Sequence, residues 1–124
     1  MEEKKKILLV DDEEDTLLHL GNILKRNNYE VVTTSQGRDA ISLAKQNTPN
    51  VIILDVLMPD MDGAEVAATL EQDPSTKDIP IIFLTGIFTK EEEFPGKKTG
   101  KRFAIAKPVA SEELLATIAQ VIPS

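Results

Sequence analysis

Five short apolar or β-prone runs recur along the chain, separated by longer amphipathic segments. The runs cover residues 7–10, 30–34, 51–54, 79–84 and 103–106. Most of them carry no polar alternation, which is typical of β-strands covered on both faces. We therefore predict five strands at these positions.

The segments between the runs carry apolar residues at helical spacing. Examples are the faces formed by Leu17, Leu20 and Leu24 near the start and by residues 114–122 at the end. Shorter faces occur at 41–44 and 66–70. Five strands alternating with about five helices predict an α/β fold with a parallel sheet, helices on both faces and right-handed crossovers.

The helix boundaries are predicted from capping residues and prolines. Asp62 is expected to cap the third helix by accepting from the amide of its third residue, and Ser111 to cap the last helix. A helix starting at 89–92 would be interrupted by Pro95, at a cost of roughly 3 kcal/mol or more. We expect a short or irregular fourth helix there, or a mobile loop. The basic stretch 97–102 leaves a second hypothesis open, an order–disorder switch that docks an acidic partner.

The composition and charge of the chain argue against several classes of function. The chain has 124 residues, 41% of them hydrophobic, and a net charge of −7, which fits one domain over 1–124 and argues against direct nucleic-acid or membrane partners. It has no cysteine and one histidine, His19, which we expect on the surface. No apolar run approaches the roughly 20 residues of a membrane span, and the start does not resemble a signal peptide. We expect a cytoplasmic protein.

Polar residues whose side chains could bind a ligand or take part in a reaction follow the predicted strands. Asp11 and Asp12 follow the first strand, Asp55 the third, Thr85 the fourth and Lys107 the fifth. In open parallel α/β sheets, ligand sites lie outside the carboxyl ends of the strands, so these side chains should meet at one edge.

Two interpretations of this edge stay open from placement alone. The first interpretation is purely structural. Each residue is ordinary by itself, since acids often cap helices and Lys-Pro is a common loop dipeptide. Together they provide oxygen ligands suited to Mg²⁺, with a lysine and a hydroxyl that could hold a phosphoryl group. The second interpretation predicts an acidic metal or phosphoryl site.

Four segments resemble the receiver domain of two-component response regulators, the CheY-like superfamily. They are LLVDD at 8–12, LDVLMPDMDG at 54–63, LTG at 84–86 and AKP at 106–108. The resemblance covers essentially the whole chain. It implies a flavodoxin-like, doubly wound, five-stranded parallel sheet in the order 2-1-3-4-5.

The resemblance also implies a role for each site residue. Asp55 would be the phosphoacceptor, and Mg²⁺ the cofactor. The metal would be bound by Asp12, Asp55 and the backbone carbonyl of Leu57, with Asp11 acting through water. Thr85 and Lys107 would each contact a phosphoryl oxygen.

The conformational switch of the family is only partly matched. The family pairs a residue such as Thr85 with an aromatic in the fifth strand, but Ala104 stands at that position. Phe103 is one residue away, and we expect it to pack in the core because a one-residue shift reverses the face. The bond between Lys107 and Pro108 is cis in the family.

The implied function is phosphorelay signalling without turnover of an outside substrate, so we do not expect an enzyme. Partners would be a sensor histidine kinase or phosphotransfer protein, and a downstream protein or linked output domain, with a possible homodimer on phosphorylation. The main alternative is a degenerate receiver that acts as a phosphorylation-independent interaction module. A haloacid-dehalogenase-type phosphatase would need a second acid where Leu57 stands, and a flavodoxin-like electron carrier would not place Asp11 and Asp12 in its phosphate loop.

Overall fold

The computed structural model describes residues 4–56, 58, 61–85, 102–107 and 109–122. Its five strands are β1 (Lys6–Val10), β2 (Glu30–Thr34), β3 (Val51–Asp55), β4 (Ile81–Thr85) and β5 (Arg102–Ala106). The helices of the described part are α1 (Glu14–Arg26), α2 (Gly37–Asn47), α3 (Gly63–Gln72) and α4 (Ser111–Val121). All strand pairs are parallel, and the order is β2-β1-β3-β4-β5, which confirms the predicted fold class.

The sheet separates two hydrophobic cores. Successive strand residues point to opposite faces, so Ile7 and Leu9 join the core beneath α1 and α4, whereas Leu8 and Val10 join the core beneath α2 and α3. The central strands β3 and β4 are buried along their whole length. Burial on both faces is the reason that these runs lack polar alternation.

The prediction started the fourth strand two residues too early, at Ile79. Ile79 and Pro80 precede β4, which starts at Ile81. The Ile79 amide donates to the Thr76 carbonyl within a turn. Pro80 has no N–H to give to a ladder, although its carbonyl accepts from Ile52 on β3.

The two predicted helix starts had different outcomes. Asp62 is the N-cap of α3, but its side chain accepts from the Ala64 amide, the second residue of the helix and not the third. Ser111 is not a cap: it is the first residue of α4, and Ala110 is the N-cap without a side-chain bond. The hydrogen bonds of α4 begin at Ala110, because the Ala110 carbonyl accepts a hydrogen bond from the Leu114 amide.

The short or irregular fourth helix and the basic stretch were predicted within segment 86–101 and at Arg102. That segment, like the Arg102 side chain, lies outside the described residues, so both hypotheses stay predictions. Within the described ranges, every helix is too short or too polar to cross a bilayer.

Candidate functional site at the carboxyl edge of the sheet

The pairing of β1 with β3 brings two aspartates together. Val10 of β1 lies beside Leu54 of β3, so the next residues, Asp11 and Asp55, emerge side by side at the carboxyl edge. Both are buried, with 0% and 5% of their surface exposed. Asp12 is exposed, and one carboxylate oxygen from each of the three residues lies within 4.8 Å of the others. The predicted acidic cluster is therefore present.

Lys107 supplies the positive charge of this cluster. Its Nζ lies 3.0 Å from Asp11 Oδ2, 3.5 Å from Asp55 Oδ2 and 3.8 Å from Glu13 Oε1. Its backbone amide donates to the Thr85 carbonyl at 2.8 Å, which continues the ladder between β4 and β5 and fixes where the side chain starts. The predicted meeting of Lys107 with the acids is observed.

The acids hold the ammonium in its charged form. Partial burial by itself would lower the pKa of Lys107, but contact with Asp11 and the charges of Asp55 and Glu13 outweigh it and raise the pKa above its ordinary value. The lysine therefore stays cationic throughout the physiological range and can attract anionic groups.

The cluster suits a divalent cation. Among the described residues, the three aspartates carry three negative charges and Lys107 carries one positive charge, which leaves two negative charges in excess. Asp11 Oδ2 is buried and has no hydrogen bond, although it forms an ion pair with Lys107. Hard oxygen ligands at this spacing match the preference of Mg²⁺. The residues present therefore fit this ion.

The proposed switch residues lie on neighbouring strands. Thr85 is buried at the end of β4, and Ala104 is partly buried on β5 beside Phe83. The register of β5 is regular, and Phe103 packs against the core beneath α1 and α4. This confirms the expected core packing of Phe103 and leaves no aromatic at position 104.

Two predicted site residues lie outside the described part of the chain. These are Leu57, whose carbonyl was expected to bind the metal, and Pro108, whose peptide bond was expected to be cis. Both stay predictions. His19 is exposed on α1, as expected.

Sequence reasoning missed the roles of Gly63 and Glu13. A Cβ on Gly63 would lie 2.6 Å from the Asp55 carbonyl oxygen and 2.8 Å from Val56 Cα, so only glycine lets α3 begin this close to the site. Its amide donates to the Val56 carbonyl at 2.8 Å. The Asp-Gly pair at 62–63 was a usable signal for Gly63. Glu13 gave none, because its contact with Lys107 depends on tertiary structure.

Comparison with known proteins places these features in a family. The model of the response regulator receiver domain matches residues 7–119. Protein PilH of Pseudomonas aeruginosa is 33% identical over 94% of this chain and 97% of its own length. PhoP of Bacillus subtilis, an alkaline phosphatase synthesis transcriptional regulatory protein, is 37% identical over 95% of this chain. The structure of Vibrio cholerae chemotaxis protein CheY4 superposes with a TM-score of 0.88, at 34% identity over 96% of this chain and 99% of that one.

The curated relatives differ in length. The chain spans 97% of PilH, but 48% of PhoP and 25% of the response regulator PleD of Caulobacter vibrioides. The match to the family model, over residues 7–119, contains all the site residues discussed above. The match also decides against the phosphatase and electron-carrier alternatives. The chain belongs to the response regulator receiver domain family of two-component systems.

Proposed function

We propose that residues 1–124 form one receiver domain that accepts a phosphoryl group on Asp55. The observation that carries this proposal is the position of Asp55 at the end of β3, 7% exposed at its side chain and 3.5 Å from Lys107 Nζ. A carboxylate in this position is reachable by a donor at the edge of the sheet. It also has a cation beside it to offset the charge that arrives.

The donor is a phosphohistidine of a sensor kinase or phosphotransfer protein. An Asp55 carboxylate oxygen attacks phosphorus in line, the bond from phosphorus to the histidine nitrogen breaks, and the imidazole leaves with that electron pair. The product is an acyl phosphate. Such a transfer needs positioning and charge neutralisation more than covalent assistance. The domain catalyses its own phosphorylation and, with water, its own dephosphorylation.

Mg²⁺ supplies charge neutralisation of the phosphoryl oxygens when bound. Asp12, Asp55 and the Leu57 carbonyl are the residues that would hold it, with Asp11 acting through water. Lys107 pairs with one phosphoryl oxygen, and the Thr85 hydroxyl donates to another. The excess negative charge of the three aspartates supports this assignment.

The output of the domain is a change of its partner-binding surface. Thr85 is the residue that would couple the phosphoryl group to this change, without the help of an aromatic at position 104, where Ala104 lies beside Phe83. Downstream, the partner is another protein or an attached output domain, with homodimerisation on phosphorylation as a further possibility. We place this activity in the cytoplasm.

The test is the intact mass of the protein after incubation with acetyl phosphate and Mg²⁺. One added phosphoryl group is expected in the wild type, and none in Asp55→Asn or in EDTA. An adduct that survives in Asp55→Asn would move the acceptor to another residue. No adduct in the wild type, even after a fast quench, would favour the degenerate interaction module.

A further inference from the structure

Glu13 contacts the site, but the proposed chemistry does not use it. It is the N-cap of α1, yet its side chain makes no capping hydrogen bond. Glutamate is also an unusual choice there, since Ser, Thr, Asp and Asn cap best. Its carboxylate instead lies 3.8 Å from Lys107 Nζ. Capping therefore does not explain where this side chain lies.

Two hydrogen bonds hold Glu13 in that position. Its amide donates to Asp11 Oδ1 at 3.0 Å, and its Oε1 accepts from the Thr16 hydroxyl at 3.2 Å. The side chain is 65% exposed, so burial does not force it toward the lysine. Glu13, Thr16 and Lys107 line one cleft of about 580 Å³ beside the site. The contact is thus maintained by specific bonds at an open surface.

This arrangement gives Lys107 a competing partner. An ammonium has three N–H donors, and three carboxylates already lie within 4 Å of this one. A phosphoryl oxygen on Asp55 would need one of those donors. When Asp55 is phosphorylated, the phosphoryl oxygen and the Glu13 carboxylate would therefore compete for the ammonium of Lys107.

We propose that Glu13 is a positioning residue that holds Lys107 in its resting arrangement and so slows phosphorylation of Asp55. The inference rests on the proposed function of Asp55 and adds a residue that tunes it. Thr16 acts through Glu13 by fixing the carboxylate. Phosphorylation of Asp55 must disrupt the exposed ion pair between Glu13 and Lys107. Because one exposed ion pair is weak, its expected effect on the phosphorylation rate is moderate.

The first experiment measures the initial rate of phosphorylation by acetyl phosphate with Mg²⁺, by intact mass. Glu13→Gln should raise the rate roughly two- to five-fold, the range that an exposed ion pair supports. Thr16→Val, which removes the hydroxyl without changing charge, should raise it less. Glu14→Gln is the matched control, because it removes the same charge one residue along the chain, and its rate should stay at the wild-type value.

Ionic strength provides an internal check on these rates. The advantage of Glu13→Gln should shrink when salt is raised from about 0.1 M to about 1 M, because the Debye length falls from about 10 Å to about 3 Å. Equal acceleration in Glu13→Gln and Glu14→Gln would mean that overall charge acts on the anionic donor. That result would overturn the role of Glu13 as a positioning residue, as would an unchanged rate in Glu13→Gln.

A second experiment observes Lys107 directly, without donor or metal. The NMR signals of its Cε and Nζ groups should move in Glu13→Gln and Thr16→Val and stay in place in Glu14→Gln. If the wild type takes no phosphoryl group at all, the proposed function of Asp55 fails, and with it the kinetic role of Glu13. If the wild type is phosphorylated and the Lys107 signals do not respond to Glu13→Gln, only the present inference fails.

Discussion

The two ends of helix α3 both lie beside aspartates, Asp55 at its first turn and Asp73 just after its last. At the first turn, Gly63 packs its backbone against the Asp55–Val56 peptide, and the neighbouring carboxylates share Lys107 as their counter-charge. Asp55 is buried, whereas 27% of the Asp73 side chain is exposed. The two acids therefore flank one helix in different environments, Asp55 buried and Asp73 partly exposed.

The carboxylate of Asp73 is fully partnered. It accepts from the Ser75 amide at 2.8 Å and the Ser75 hydroxyl at 2.7 Å, and Lys45 of α2 lies 3.1 Å away. The hydrogen bonds from Ser75, followed by the contact with Lys45, lower the pKa of Asp73 to about 2. An acid at a helix C-terminus is opposed by the helix dipole, and these bonds compensate for it.

The difference distinguishes an acid that is neutralised by its structural partners from the acids of the proposed site. Asp73 has as many partners as its charge requires, so it stabilises the junction between α2 and α3 and has no remaining charge for a ligand. In the described part of the chain, Asp11, Asp12 and Asp55 together exceed the charge of Lys107. This excess of negative charge lies at the site proposed above for a cation and a phosphoryl group.

Removal of the Lys107 ammonium should produce the largest change in the free energy of unfolding. Without a divalent cation, Lys107→Met should lower the free energy of unfolding by about 2–3 kcal/mol, since it removes the partly buried ammonium that pairs with the buried carboxylates of Asp11 and Asp55. Urea denaturation in EDTA measures this loss. Lys45→Met, which removes the lysine beside Asp73, should cost much less. Equal losses in the two variants would contradict the distinction.

Of the glycines in the described residues, Gly63 should be the most sensitive to an added side chain. Gly63→Ala should lower the free energy of unfolding by about 1–3 kcal/mol, because the added Cβ meets backbone atoms that cannot rotate away. Gly21→Ala in α1 is the control: nothing lies within 4 Å of its Cβ, and the helix should gain about 0.5–1 kcal/mol. Thermal unfolding compares both variants, and a neutral Gly63→Ala would show that the first turn of α3 can move away.

Neutralising Asp12 should separate metal binding from stability. Asp12→Asn should weaken Mg²⁺ binding by at least roughly ten-fold, the loss typical of disturbing a metal site. In EDTA the same variant should be as stable as the wild type, or more stable by a few tenths of a kcal/mol, because like charges are relieved. Titration of the melting temperature with Mg²⁺ measures both quantities. An unchanged Mg²⁺ response would remove Asp12 from the metal site.

The smallest effect is the pH dependence at the other end of α3. The pKa of Asp73 is about 2 in the folded chain and 3.8 in its ordinary state, so between these values the unfolded chain binds the extra proton. Stability from Asp73 is therefore complete above about pH 4 and disappears as pH falls through about 2. Urea denaturation from pH 2 to pH 6 should show Asp73→Asn less stable than wild type at pH 6, with the two curves converging near pH 2. A pH-independent difference would argue against the lowered pKa.

Most of the fold was predictable because the signal is local. The apolar runs and helical spacings identify the strands and the described helices, since burial on one or two faces imposes a period on the sequence. Boundaries were less certain: β4 begins after Pro80, and α4 begins at Ser111 with Ala110 as its cap. Neighbouring backbone bonds decide these ends, and they depend on how the preceding turn folds.

The sequence by itself determined which residues could form the site. Asp11, Asp55, Thr85 and Lys107 each follow or end a strand, and parallel pairing obliges strand ends to meet at one edge. The segments that resemble receiver domains imply a role for each of these residues, and the comparisons show the family to which the chain belongs.

Only the tertiary structure decided how these residues share charge. Residues distant in sequence, such as Asp11 and Lys107, meet at distances that depend on strand register and side-chain direction. The same holds for the contact between Glu13 and Lys107 and for the close approach of Gly63 to the Asp55 backbone. Local patterns select strands and helices, but an ångström-scale distance between elements is fixed by packing the whole sheet.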